Sequence, residues 1–235
     1  MKKKGWMHSK VSPAAPDMEQ GFPEKLKKTA VFGRIIAGLV FIAALPGCLS
    51  VANTPVPRFY ALRAADDGKN TRKFDIAPET IIGVSPVKIP EYMDRPQIVT
   101  HNQDGTLSFA QFDRWGESLD AALSRVLTEN LSVMLPRANI EMLPGNAAVP
   151  LKYQVLVNVT RLECQLDGEM VFAAQWSVIN PAEEKLALMK KSLFRHAIAP
   201  HDYRGLAGAL SAVCESLSAE IAGELAARTA PPKTE

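Results

Sequence analysis

The dipeptide Asp167-Gly168 lies between LKYQVLVNVTRLECQL (151–166) and EMVFAAQWSVIN (169–180), two runs in which apolar and polar residues largely alternate. Asp-Gly between alternating runs is hairpin chemistry, because the turn needs positive φ that Gly adopts at no steric cost. A long antiparallel pair in the second half of the chain is therefore expected, and the rest must pack around it. The same signal recurs at Asp104-Gly105, between PQIVTHN and TLSFAQF. RFYALR (58–63), TIIGVSPVKIP (80–90) and KLALMKKSLFRHAIA (185–199) are further strand candidates, although the Leu and Lys content of the last also suits a helix.

Two stretches change period. From Trp115, the residues Leu119, Ala122, Leu123, Val126, Leu127, Leu131 and Met134 recur at three and four spacing, with Asp120, Arg125, Thr128 and Glu129 opposite. This is the stripe of an amphipathic helix, with Asp113 placed to cap it and Pro136 to stop it. Asp202 is placed to cap a second helix whose stripe is Leu206, Leu210, Val213, Cys214, Leu217, Ile221 and Leu225. The expected fold is a single layered α/β domain, one mixed β-sheet with hairpins and two long amphipathic helices packed on it. Trp115, heading the first stripe, and Trp176, inside the long hairpin, are core candidates.

The N-terminal segment follows other rules. IIAGLVFIAAL (35–45) is eleven residues without a polar side chain, preceded by KLKK and Arg34. That is the basic and apolar pattern of an export signal. Spanning a bilayer takes roughly 20 apolar residues, and Pro46-Gly47 breaks this run well short. Leu45-Pro46-Gly47-Cys48 resembles a bacterial lipobox, in which the thiol of Cys48 takes a diacylglyceryl group and becomes the first residue after cleavage. Met18 gives a signal of ordinary length, so the start is either Met1 or Met18. The chain then divides into a removed segment (1–47), a lipidated, Pro-containing tether (48–57), a domain (58–228) and a tail disordered by composition (229–235). Leu49, where an Asp usually marks inner-membrane retention, points to the outer membrane, facing the periplasm. Residues 1–47 carry eight Lys or Arg against three acids, whereas the rest carries 19 basic and 22 acidic residues, a balance of −3. Nothing in that balance suggests a nucleic-acid binder.

Enzyme signatures fail: the chain has no GxSxG elbow, HExxH, Gly-rich phosphate loop or CxxC. His101 and Asp104 flank a hairpin turn and read as solvated turn residues, while His196 and His201 straddle Pro200 without a third ligand, so no metal site and no catalytic residue is assigned. The sequons at Asn130 and Asn158 fall inside a helix and a strand. With Cys48 acylated, Cys164 and Cys214 remain, either bridged or as two buried thiols. No cofactor is implied beyond the acyl lipid on Cys48.

The segment GVSPVKIPEYMDRPQIVTHNQDGTLSFAQFDRWGESLDAAL (83–123) resembles the PqiC/YmbA family of ABC-transport auxiliary lipoproteins. The resemblance rests on Gly83, Val84, Pro86, Val87, Pro90, Tyr92, the Asp94-Arg95-Pro96-Gln97-Ile98-Val99 run, Trp115 and Leu119, and the order of elements fits over the mature chain. It implies a non-catalytic outer-membrane lipoprotein in an envelope lipid-transport system that supports membrane integrity. Its partners would be an inner-membrane component and an MCE protein whose rings form a periplasmic tunnel, with the lipoprotein docking the tunnel's end as a homo-oligomeric ring. Tyr92, Arg95 and Gln97 are then either partner-interface residues or scaffold, the latter as a turn closed by an Asp94–Arg95 ion pair. The alternative reading is a periplasmic lipoprotein with hydrolytic or ligand-binding activity, which needs a polar pocket.

Overall fold

The strands divide into two sheets. The computed structural model describes residues 55–66, 71–144 and 150–229; the export signal, Cys48, Met18, most of the tether and residues 230–235 lie outside them. Among the described residues, eight strands and two α-helices follow one another as β1 (Arg58–Tyr60), β2 (Ile81–Val84), β3 (Gln97–His101), β4 (Leu107–Trp115), α1 (Leu119–Met134), β5 (Asn139–Met142), β6 (Tyr153–Cys164), β7 (Glu169–Asn180), β8 (Lys185–Ala197) and α2 (Tyr203–Thr229). One sheet has the order β5-β2-β6-β7-β8 and the other β1-β4-β3. The layered α/β architecture is the expected one, but the single sheet is replaced by a five-stranded body and a three-stranded annex.

Both Asp-Gly hairpins form. β6 pairs antiparallel with β7, and β3 with β4. Each turn is a three-residue loop closed by the same two backbone bonds: Asn102 N–H donates to Thr106 O and Gly105 N–H to Asn102 O, while Gln165 N–H donates to Glu169 O and Gly168 N–H to Gln165 O. Only Gly105, at φ 84°, sits in the left-handed region that makes glycine necessary. β8 extends the hairpin as an antiparallel strand, settling the ambiguity of its composition in favour of the sheet.

The helices cover one face of the body. Every residue of the first stripe from Leu119 to Met134 is buried, and so is every residue of the second from Leu206 to Leu225. α1 packs on α2, β2 and β5, and α2 packs on β7 and β8. Removing each large aliphatic side chain from water contributes about 1.5–3 kcal/mol, which is how stripes of this length hold helices on a sheet. Asp202 caps α2 as expected, its Oδ1 accepting from Gly205 N–H at 2.7 Å. Gly205 has its own reason to be there, since a Cβ would lie 1.8 Å from the Pro200 carbonyl oxygen.

Three expectations are corrected. Asp113 does not cap α1 and Trp115 does not head it, because β4 runs on to Trp115 and α1 begins after Ser118. The reason is long-range: Asp113, Arg114 and Trp115 pair in register with Arg58, Phe59 and Tyr60 of β1. The strand expected over 80–90 ends at Val84, since Pro86 offers no N–H. Residues beyond it still follow β6, with Ser85 N–H donating to Val155 O and Lys88 N–H to Val157 O. One element went without any expectation: β5 has no periodic signal in its four residues and exists by parallel pairing with β2, Ile81 opposite Asn139 through Val84 opposite Met142.

Candidate functional site

The segment carrying Tyr92, Arg95 and Gln97 is held at both ends. Pro90 starts a short 3-10 turn over Glu91–Met93, closed by Met93 N–H donating to Pro90 O. Pro96, which cannot donate, accepts through its carbonyl from Trp115 N–H at 2.8 Å. That bond ties the Asp94–Val99 run to the tryptophan 19 residues later. Upstream, Val87 N–H donates to Ser124 Oγ of α1, and a Cβ at Gly83 would meet Leu143 and Leu151 side chains at 2.9 and 2.8 Å.

Tyr92 faces inward. Its hydroxyl donates to Leu162 O at 3.2 Å, and its ring stands edge-on to His101 with 5.7 Å between centroids. His101 Nδ1 accepts from Cys164 N–H at 3.3 Å, and burial holds its pKa below the ordinary imidazole value. His101 is thus a half-buried acceptor locking β3 to β6, not the solvated turn residue expected. Asp104 belongs to the turn: its Oδ1 accepts from Thr106 N–H and Oγ1, bonds that lower its pKa.

Arg95 and Gln97 lie where the chain enters β3. Phe59, Arg114 and Gln97 are in register across β1, β4 and β3 and so share one face. Arg95, two residues before Gln97, lays its guanidinium 4.3 Å from the centroid of Phe109 rather than closing an ion pair with Asp94. Phe59 is 66% exposed and Phe109 48%. Among the described residues, neither the Arg95 nor the Arg114 guanidinium makes a hydrogen bond or ion pair, and both Nε atoms are buried without a partner. The inner face treats charge differently. Asp113 is buried, held by Arg58 at 2.8 Å and by the Tyr60 hydroxyl at 2.7 Å, and burial with that bond raises the tyrosine pKa.

The remaining candidates are structural in their contacts. Trp115 and Trp176 are buried, and Trp176 Nε1 donates to Ser192 Oγ at 2.9 Å. Cys164 in β6 and Cys214 in α2 are buried and unbridged, and burial pushes both thiols up to about 12. An open cleft of about 740 Å³ runs beside β6 and β7, lined among others by Pro86, Lys88, Asp94, Leu156, Asn158 and Gln175. Among the described residues, no three His, Cys, Asp or Glu side chains come together, and no helix is long and apolar enough to cross a membrane. Phe59, Phe109 and Arg114 were not singled out in the sequence. The alternation in TLSFAQFDRW places Phe109 on a strand face, but only the parallel β1–β4 pairing brings Phe59 beside Arg114.

Two solved structures share this fold. One is the crystal structure of an uncharacterized protein, 21% identical, with a TM-score of 0.60, covering 73% of this chain and 99% of that one. The other is protein XCC0632 from Xanthomonas campestris, 11% identical, with a TM-score of 0.57, covering 73% of this chain and 100% of its own. No curated protein matches the sequence significantly. The family model described as ABC-type transport auxiliary lipoprotein component matches residues 60–222, from the end of β1 well into α2. The protein belongs to that family of transport auxiliary lipoproteins.

Proposed function

We propose that this protein is the non-catalytic, lipid-anchored outer-membrane subunit of an ABC/MCE-type envelope lipid-transport system, docking the end of the periplasmic tunnel and supporting membrane integrity. The observation that carries the reading is the family match over residues 60–222, which makes the chain an auxiliary lipoprotein component of an ABC-type transporter. Cys48 supports the anchor: it follows an eleven-residue apolar run that Pro46-Gly47 terminates, and acylation at two or more chains gives stable membrane attachment. In this reading residues 1–47 are removed, 48–57 form the tether, 58–228 form the docking domain and 229–235 a free tail. The domain assembles as a homo-oligomeric ring. Tyr92 serves as scaffold for the Asp94–Val99 run, and Arg95 and Gln97 serve the interface.

The test is purification of the full-length, anchored chain through a C-terminal tag in a detergent that preserves its lipid. Recovery of an MCE protein with its inner-membrane component is the expected result. A preparation containing the acylated chain but no transporter component would overturn the assignment.

A further inference from the structure

We infer that the outer face of the annex, built from Phe59, Gln97, Phe109, Arg95 and Arg114, is a docking surface for an acidic segment of a partner protein. The inference rests on the docking role proposed above and adds the chemistry of what docks. Three observations favour a protein segment. The side chains in register on this face, Phe59, Arg114 and Gln97, carry no negative charge. The two cations are arginines flanked by exposed phenylalanines, with no lysine among them, and aromatic residues with Arg are what the buried centres of protein interfaces concentrate. Each guanidinium has its Nε inward and unpartnered, so the terminal nitrogens, which make no protein bond, are left to solvent. A guanidinium without a protein partner, as Arg95 over the Phe109 ring and Arg114 beside Phe59 both are, presents the fork that takes a carboxylate through two parallel N–H bonds. Elsewhere on the domain, Arg137 holds Asp75, Arg161 holds Glu163 and Arg195 holds Glu169. The annex arginines have the same chemistry without the carboxylate.

The experiment is photocrosslinking of the full chain in its own membranes, with p-benzoylphenylalanine introduced at Phe59 and, separately, at Phe109. Mass spectrometry then identifies the crosslinked peptide. The expected product joins this chain to a different protein through a peptide rich in Asp or Glu, and its yield falls tenfold or more in Arg95→Glu/Arg114→Glu and as salt is raised. Arg95→Lys/Arg114→Lys retains part of the yield, which separates lost charge from lost folding. Adducts to phospholipid, to a second copy of this chain, or to a basic or neutral peptide would overturn the inference, as would no adduct. If a transporter component co-purifies but does not crosslink here, the face is wrongly assigned and the transporter reading stands. An acidic adduct from a protein unrelated to the transporter would keep the face and sink that reading.

Discussion

The five-stranded body and the three-stranded annex handle polar side chains in opposite ways. In the body, Trp176 Nε1 is met by Ser192, Ser192 in turn by Glu220, Lys190 by Glu224, and the buried Asn130 accepts from Ala65 N–H while donating to Ser218. In the annex, the inner face is satisfied in this manner through Asp113, and the β3–β4 turn through Asn102, Asp104, Thr106 and Ser108. Its outer face keeps two guanidiniums unpaired and two phenylalanines in water. A group left unpaired gains nothing for the isolated fold. In the proposed reading the body is the part built for stability and the annex the part built for recognition, and the Tyr92–Leu162 and Cys164–His101 hydrogen bonds join the two.

Substitutions in the body and the annex should separate accordingly. Gly205→Ala has the largest expected effect, because its Cβ would occupy the Pro200 carbonyl and displace the start of α2; loss of the cooperative thermal transition is the readout. Trp176→Ala comes next, removing a fully buried ring and stranding the Ser192 contact, at about 3–5 kcal/mol in denaturant unfolding. Asp113→Asn should cost about 1–3 kcal/mol by weakening the charged partner of the Tyr60 hydroxyl. On the outer face, Phe59→Ala or Arg114→Ala should change stability by no more than about 0.5 kcal/mol while lowering partner recovery. Native alkylation should leave Cys164 and Cys214 unmodified, with both labelled after unfolding, since burial keeps their thiols protonated.

The smallest effect is a pH dependence. The folded-state pKa of His101 is below its unfolded value, so the unfolded chain binds the extra proton first. Its contribution is present above the ordinary imidazole pKa near 6.5 and is lost as pH falls below it, when protonated Nδ1 can no longer accept from Cys164 N–H. The thermal midpoint should decline below that pH in the wild type and less steeply in His101→Gln.

Much of the fold was legible in the sequence because its signals are local. Alternation beside Asp-Gly marks the β6–β7 and β3–β4 hairpins, and three-four spacing marks both helix faces down to individual residues. What escaped depends on parallel, long-range pairing. β5 and the β1–β4 pair involve short strands whose partners lie far along the chain, so neither leaves a periodic trace, and Asp113 looked like a helix cap because its true partners are Arg58 and Tyr60. The candidate site divided along the same line. Arg95 and Gln97 could be named from the motif, whereas Phe59 and Arg114 join them only through the β1–β4 register.

The most direct test compares charge reversal in the two regions. Arg95→Glu/Arg114→Glu in the annex and Arg161→Glu/Arg195→Glu on the body are made in the full-length anchored chain, and co-purified transporter component is quantified against thermal midpoint. The account predicts that recovery falls tenfold or more for the annex pair alone, at a midpoint close to wild type. Equal recovery from both variants, or loss only from the body pair, would contradict it.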